Sequence, residues 1–484
     1  MSEHHSTNGG GGVSPGRAQQ EALREILASD DHDVAIVFHT SSGEQLVTDP
    51  GQIEEAFTGP GERPITTLHR TRHLYLRPDV LGDAYHADAS TGAGSVIIGG
   101  RSVGLAEIVE KPFLGVIVHA AITSEEVDVR ELVVQARREF GDDPAPLGLE
   151  HAYRLWSHVG WWSHVGWWSS DGGNPSEGPS SGTPPAPWPD PTPKPKVIGL
   201  VDTGVDTQHE WLTTEVDGAP PKGAPAKPPL PANANTVDEV ESAHGTLIAG
   251  ILRQAAPSST IHSQRVKVQV HHMVETDVIA AIEAFTTGTP ALGGQGTQQS
   301  DGSAPVIDTD VLVLSFGGAT LEHPDQLKQA LVGFIAAKPG RTVYAAAGNL
   351  DDDHDHDDHD HPGGGDGRTV VYPAGFVGVD GLHAVAGGPN PGTYPRTTGT
   401  DGKPAGTGPT DPSAYYAWSN GGAFVTDIVS VTDQPDRTNG YLVTSAPVLP
   451  NASDRLASAR GTSLLTAIAA GIAADGKDPF PDRV

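Results

Sequence analysis

From Lys196 onward, apolar and polar positions alternate between two rhythms. Short, nearly continuous apolar runs are followed by longer stretches in which apolar residues recur every three or four positions. The runs VIGLVD (197–202), STIHSQRVKV (259–268), DTDVLVLSF (308–316) and TVYAAAG (342–348) read as strands. The stretches GTLIAGILRQA (245–255), DVIAAIEAF (277–285) and QLKQALVGFIAAK (326–338) read as helices. Strands apolar on both faces, alternating with helices, predict a parallel sheet covered by helices on each side. The segments 287–306 and 350–368 interrupt the pattern as loops.

Ahead of Lys196 the rhythm differs. Leu23, Ile26 and Leu27 give AQQEALREILAS an amphipathic helical face, and VDVRELVVQARREF (127–140) reads as a second helix. DVAIVFHT (33–40) and FLGVIVHAAI (113–122), rich in Val and Ile, read as strands. Residues 18–150 are therefore expected to form a small α+β domain. The Gly/Ser/His-rich stretch 1–17 is expected to be disordered. Residues 151–170 repeat the unit WSHVGW and hold Trp156, Trp161, Trp162, Trp167 and Trp168, five of the eight tryptophans. The segment is either a local duplication packed on a neighbouring domain or an exposed aromatic anchor for a partner. Residues 171–196 are a Pro/Gly/Ser-rich linker, and residues 197–484 are a second domain.

Charge and composition narrow the function. Thirty basic against 61 acidic side chains leave a formal net charge of −31, which argues against nucleic acid or an anionic membrane as a partner. With no cysteine, disulfides, zinc-thiolate sites and thiol nucleophiles are excluded. The N-terminus lacks the basic start and apolar core of a Sec-type signal, and no apolar run approaches a membrane span of about 18–20 residues. A cytoplasmic location is the resulting expectation.

In α/β sheets, reactive groups collect at the carboxyl ends of strands and at helix N-termini. Asp202 closes a strand, Asn349 follows another, and His244 and Ser463 open helices. A serine hydroxyl needs a base to act as a nucleophile, an imidazole supplies it, and a carboxylate orients the imidazole. An amide beside the serine N–H can bind an oxyanion. Singly, each residue has an ordinary alternative as a helix cap or turn residue. Together, in this order, they point to acyl transfer.

These motifs resemble those of the subtilisin-like serine proteases, the subtilases. DTGVDTQH is similar to the family's aspartate motif, HGTLIAG to its histidine motif, AAAGN to its oxyanion-hole asparagine and GTSLLTAIAAG to its serine motif. APSSTIHSQRVKV, VLVLSFGG, YPAGFVGVDGLHAVAG and WSNGGAFVTDIVS resemble the segments between them, so the likeness spans about 197–475. Leu247, Ala467 and Ile468 depart from the family's usual histidine, proline and histidine. The resemblance implies an α/β fold, a subtilisin-like parallel sheet flanked by helices and preceded by the small α+β domain. It implies endopeptidase activity through Asp202, His244 and Ser463, with Asn349 in the oxyanion hole and no required cofactor. The substrate, a protein or peptide, would pair as an added strand with Ser315, Phe316, Gly317 and Gly318, opposite a wall that includes Ala346. The N-terminal domain would be a pro-region or a recruitment domain.

The run DDDHDHDDHDHPGGGDG begins two residues after Asn349. It reads either as a solvated acidic loop or as a divalent metal site, for zinc, nickel or copper, built on His354, His356, His359 and His361. Two further functions therefore stand beside the protease: a catalytically silent binding module with this fold, and a metal-responsive protein centred on this loop.

Overall fold

Two large sheets organise the chain: one is built mainly from the first half and joined by two short strands of the second, the other lies wholly in the second half. The computed structural model describes residues 15–28, 33–40, 43–53, 65–88, 90–124, 126–155, 196–205, 216–217, 244–266, 272–287, 308–320, 323–349, 370–394, 397–398, 404–405, 407–416, 419–430, 442–445, 456–459 and 461–476. The tryptophan repeat, most of the linker and the four histidines 354, 356, 359 and 361 lie outside these described residues.

The first half opens with helix α1 (Pro15–Ala28) and strands β1 (Val34–Thr40), β2 (Gly43–Val47), β3 (Ile65–Leu76), β4 (Tyr85–Asp88), β5 (Ala93–Ile98), β6 (Arg101–Glu110) and β7 (Val118–Ile122). Helix α2 (Val129–Phe140) and strand β8 (Leu147–Leu155) complete it. The strands pair antiparallel in the order β4-β5-β6-β7-β3-β8, and β1 also pairs with β2 and β3. Helix α2 forms because Asp128 caps it, accepting from the N–H groups of Arg130 and Glu131. Val129, Leu132, Val133 and Ala136 fall on one face at helical spacing and pack on Leu74, Leu76, Leu147 and Leu149. Leu23, Ile26 and Leu27 of α1 do the same against Val34, Ile36, Phe38 and Leu68.

Three sequence expectations need correction here. Helix α1 begins at Pro15, inside the stretch expected to be disordered. Proline suits a first helical position, where its missing N–H has no intrahelical partner to lose. Of FLGVIVHAAI only Val118–Ile122 is strand, because Pro112–Leu114 forms a 3-10 turn closed by Gly115 at φ 79°. The domain also does not stop at residue 150. Strand β8 runs to Leu155, because its far end gains backbone partners from the second half.

That half contains strands β9 (Val197–Asp202) and β10 (Val216–Asp217), helix α3 (His244–Ala255), strands β11 (Thr260–Arg265) and β12 (Met273–Val274), and helix α4 (Glu275–Thr287). Next come β13 (Val311–Leu314), β14 (Phe316–Gly317), helix α5 (Asp325–Ala336), β15 (Thr342–Ala346), β16 (Leu382–Gly387) and β17 (Gly392–Thr393). A short hairpin of β18 (Thr397–Thr398) and β19 (Pro404–Ala405) precedes β20 (Asp427–Val429). A second hairpin, β21 (Leu442–Ser445) and β22 (Leu456–Ala459), precedes helix α6 (Thr462–Ala474). The main sheet runs β10-β11-β9-β13-β15-β16-β20-β17, and all its pairs are parallel except β17 with β20.

Both faces of this sheet are dry. Ile198, Leu200, Val311 and Val313 turn toward α3 and α6, while Val201, Leu312 and Leu314 turn toward α4 and α5. Alternate residues of one strand thus serve opposite cores, which is why the strands read as continuous apolar runs. Helix α3 is buried along its whole length, and so is most of α6. Among the described residues no helix is long and apolar enough to cross a membrane.

The two buried helices approach closely at one glycine. A Cβ on Gly471 would lie 2.5 Å from the Ala255 Cβ, far inside van der Waals contact. Gly471→Ala should gain roughly 1 kcal/mol of helix propensity but lose about 1–3 kcal/mol to overpacking. A net fall in melting temperature is expected in a thermal unfolding scan.

Candidate active site

The parallel strands bring their carboxyl ends to one edge of the sheet, and the polar residues named above collect there. Asp202 is the last residue of β9 and has no solvent exposure. Its Oδ1 accepts the N–H of Thr203 at 2.7 Å. His244 is the first residue of α3 and is also buried. Its Nδ1 lies 2.8 and 3.0 Å from the two Asp202 oxygens. A carboxylate only accepts, so Nδ1 carries the proton, and in the neutral ring Nε2 keeps its lone pair. The Thr203 hydroxyl accepts the Gly245 N–H at 3.0 Å and ties the strand end to the helix start.

Ser463 is the second residue of α6 and is buried. Its hydroxyl donates to the Ser315 carbonyl at 2.9 Å, and the Ser315 hydroxyl donates back to the Ser463 carbonyl at 3.2 Å. The single hydroxyl proton of Ser463 thus goes to a backbone oxygen and not to an imidazole. β9 and β13 are neighbours with Val201 opposite Leu314, so Asp202 and Ser315 are the next residues on adjacent strands.

Asn349 follows β15. Its Oδ1 accepts from the Thr462 N–H at 2.9 Å and from the Thr462 hydroxyl at 3.1 Å. A backbone N–H can only donate, so the amide flip is fixed and the NH2 end faces away from Thr462. The turn before α6 needs Gly461, whose φ is 143° and whose added Cβ would come within 3.2 Å of Asn349 Nδ2. The structure therefore brings Asp202 to His244, Ser463 to Ser315, and Asn349 to the residue preceding Ser463.

The strand Ser315–Gly318 has backbone partners on both sides. β14 pairs antiparallel with β8, Phe316 opposite Leu155 and Gly317 opposite Arg154. Gly318 exchanges both backbone bonds with Tyr372, at 3.0 and 2.9 Å, and Thr67 bridges Ala319. On its other edge β8 pairs with β12, so the last strand of the first domain is inserted between two segments of the second. Tyr153 is fully buried in the second domain's core, 6.2 Å from the Phe316 ring. Ala346 is enclosed in β15 opposite Val385.

Two buried acids fasten this contact, and sequence reading missed both. Glu150 of β8 accepts from His119 Nε2 at 2.8 Å, from Arg70 at 3.3 Å and from the Thr276 N–H at 3.3 Å in the first turn of α4, and it also bonds the Thr276 hydroxyl. Glu275, the first residue of α4, accepts from the His151 N–H and Nδ1, both at 3.0 Å, and from the Leu327 N–H at 3.2 Å in the first turn of α5. Each carboxylate thus satisfies otherwise unpaired donors at a helix N-terminus, where the helix dipole favours negative charge. The only sequence signal was an acid placed ahead of a helical apolar pattern at Glu275. Glu150 carries no local signal, since its partners come from elsewhere in the fold.

Burial alone would push the Glu150 carboxyl up. The His119 hydrogen bond, the charges of His119 and Arg70 and the Thr276 hydroxyl outweigh it and hold the pKa at about 2. His69, opposite His151 on β3, is held down at about 3, first by burial and then by the charges of His151 and Arg130. Among the described residues no group of three or more His, Asp or Glu is arranged to hold a metal ion.

The family model of the subtilases (Peptidase_S8, Subtilase family) matches residues 194–482, more than half of the chain. No curated protein matches the sequence. Among solved structures, a cold-adapted subtilisin-like serine proteinase is 19% identical with a TM-score of 0.33, over 59% of this chain and 78% of the other. Fervidolysin from Fervidobacterium pennivorans, a keratinolytic enzyme related to subtilisin, is 14% identical with a TM-score of 0.42, over 86% of this chain and 56% of the other. A lanthipeptide protease is 16% identical with a TM-score of 0.35, over 59% and 74%.

The depressed pKa values fix a pH window. For both groups the unfolded chain binds more protons than the folded one, so stability rises with pH. The His69 contribution is complete above pH 6.5 and declines as pH falls toward about 3. The Glu150 contribution is complete above pH 4.5 and declines toward about 2. Glu150→Gln should remove on the order of 3 kcal/mol from the loss in the lower window, so its melting temperature should vary less between pH 4.5 and 2 than that of the wild type.

Proposed function

The chain belongs to the subtilase family and is a serine peptidase, and from that premise we propose that it cuts within polypeptides through an Asp202-His244-Ser463 triad. The observation that carries this reading is the buried Asp202-His244 pair, with the imidazole at the start of a helix and its Nδ1 proton held by the carboxylate. In the proposed reaction the Ser463 hydroxyl leaves the Ser315 carbonyl and passes its proton to His244 Nε2. Its oxygen attacks the scissile carbonyl carbon. The resulting oxyanion is held by the Asn349 NH2 group and the Ser463 N–H, aided by the positive end of α6. His244 returns the proton to the leaving amine as the C–N bond breaks, leaving an acyl ester on Ser463. Water, deprotonated by the same imidazole, then attacks the ester carbon; the C–O bond to Ser463 breaks, His244 returns the proton to the Ser463 oxygen and the acid product is released. Asp202 keeps the imidazole in the required tautomer and stabilises its protonated form.

A protein or peptide is the substrate class that fits. An extended chain is read by main-chain bonds to Phe316 and Gly317, the positions β8 takes in the intact chain. That occupancy supports regulation by the first domain, which would block the substrate edge in cis. The anchor would be Tyr153, which fills an apolar hole beside Phe316.

Two measurements test these statements. A fluorophosphonate probe should label the wild type covalently and leave Ser463→Ala unlabelled. Asp202→Asn should keep the fold and lower kcat by about 10⁴-fold, because its amide would favour the wrong tautomer. Equal labelling of Ser463→Ala would sink the triad. For regulation, Tyr153→Ala removes the anchor while leaving every residue of the second domain unchanged. The full-length variant should then be labelled at least about tenfold faster, since loss of a buried aromatic anchor weakens an interface by roughly 2 kcal/mol or more. An unchanged labelling rate would refute inhibition in cis.

A further inference from the structure

The turn that carries Asn349 is held from two sides. Thr462 grips the first side. Its hydroxyl accepts the Gly348 N–H at 3.2 Å, and its N–H and hydroxyl both donate to the Asn349 side-chain oxygen. The second side faces the segment before β20. There the Asn420 side-chain NH2 donates to the Ala347 carbonyl at 2.7 Å, and the Asn420 backbone N–H donates to the Gly348 carbonyl at 2.9 Å. The preceding residue, Ser419, forms an isolated antiparallel bridge with Asn349 itself.

Asn420 is in turn fixed. It is 2% exposed, and Ser419 is fully buried. The Ser419 hydroxyl accepts the Gly387 N–H at the end of β16, at 2.8 Å, and donates to the Asn420 carbonyl at 3.0 Å. β16 is the neighbour of β15, and the Ala347 N–H donates to Val385 of β16 at 2.9 Å. The Asn349 turn and its support therefore hang from the same pair of strands. Gly348, at φ 95°, is the flexible point between them, and both of its polar backbone groups are engaged, one by Thr462 and one by Asn420.

We infer that Asn420 is a positioning residue for the proposed oxyanion donor: by holding the carbonyls of Ala347 and Gly348, it sets where the Asn349 NH2 group points. It touches neither substrate nor reacting atoms. An oxyanion donor acts through pre-set geometry, so small displacements matter even when affinity for the substrate does not change. The inference rests on the role proposed for Asn349 and extends it by one residue.

A double-mutant cycle in the full chain tests it. The four proteins are wild type, Asn349→Ala, Asn420→Ala and the double variant, each assayed for kcat and KM on a chromogenic peptide anilide. All carry the same first domain, so any restraint it imposes cancels in the ratios. Asn349→Ala should lower kcat about 10²–10³-fold. Asn420→Ala should lower kcat at least about tenfold with KM within about twofold, the pattern of an interaction made only in the transition state. Once Asn349 is already alanine, Asn420→Ala should change kcat by less than about twofold, because residues that act as a unit are not additive. A merely structural role would lower kcat by the same factor in both backgrounds, and that result overturns the inference while leaving Asn349 in place. No effect of Asn349→Ala on kcat would overturn the oxyanion reading and the inference with it. Should Asn420→Ala fail to give a cooperative melt, Asn420→Ser, which keeps the backbone donor and a shorter side-chain donor, enters the same cycle and is judged by the same non-additivity.

Discussion

A carboxylate with no exposure to water stands at the end of β9, and most of the second domain is arranged so that it can. Burying an ionised carboxylate costs several kcal/mol unless donors replace its water. Here the donors are the Thr203 N–H and the His244 ring, delivered by the first residue of a helix. That helix must then pack against the sheet along its whole length, which it does as a uniformly buried cylinder beside α6. The contact between the two helices at Gly471 and Ala255 accompanies the entry of the Ser463 end of α6 at the same sheet edge. One electrostatic requirement thus ties β9, α3 and α6 together.

The two domains meet by a different physics. Edge strands leave backbone donors and acceptors open, and an open edge seeks a partner. β8 satisfies β12 on one side and β14 on the other. Side chains then lock the register: Glu150 and Glu275 each cap a helix and hold a histidine, and Tyr153 fills an apolar gap. His69 and Glu150, both held below their ordinary pKa values in this region, make the contact between the domains one of the places where the fold responds to acid.

The four candidate positions could be picked out because each lies within a short local motif. Asp202 ends an apolar run, His244 and Ser463 begin helical periods, and Asn349 closes a strand. Such signals survive in one dimension since strand and helix periodicity are local properties. The boundary of the first domain was not legible. Its last strand reads into a tryptophan repeat, and it is extended by residues more than a hundred positions away. Asn420 was visible only within WSNGGAFVTDIVS, a segment that resembles the family, and nothing in that local pattern assigns its side chain to the Asn349 turn.

By itself the sequence determined the parallel α/β architecture of residues 197–475, the order of the four motif residues and the family to which they belong. The tertiary structure alone decided the Asp202-His244 contact, the amide orientation of Asn349, the diversion of the Ser463 proton to Ser315 and the occupation of the Phe316–Gly317 edge by β8. The reason is the range of the forces involved. Propensity and periodicity act over a few residues, whereas these hydrogen bonds close loops of 42 to more than 150 residues, and only the finished fold fixes which donor meets which acceptor.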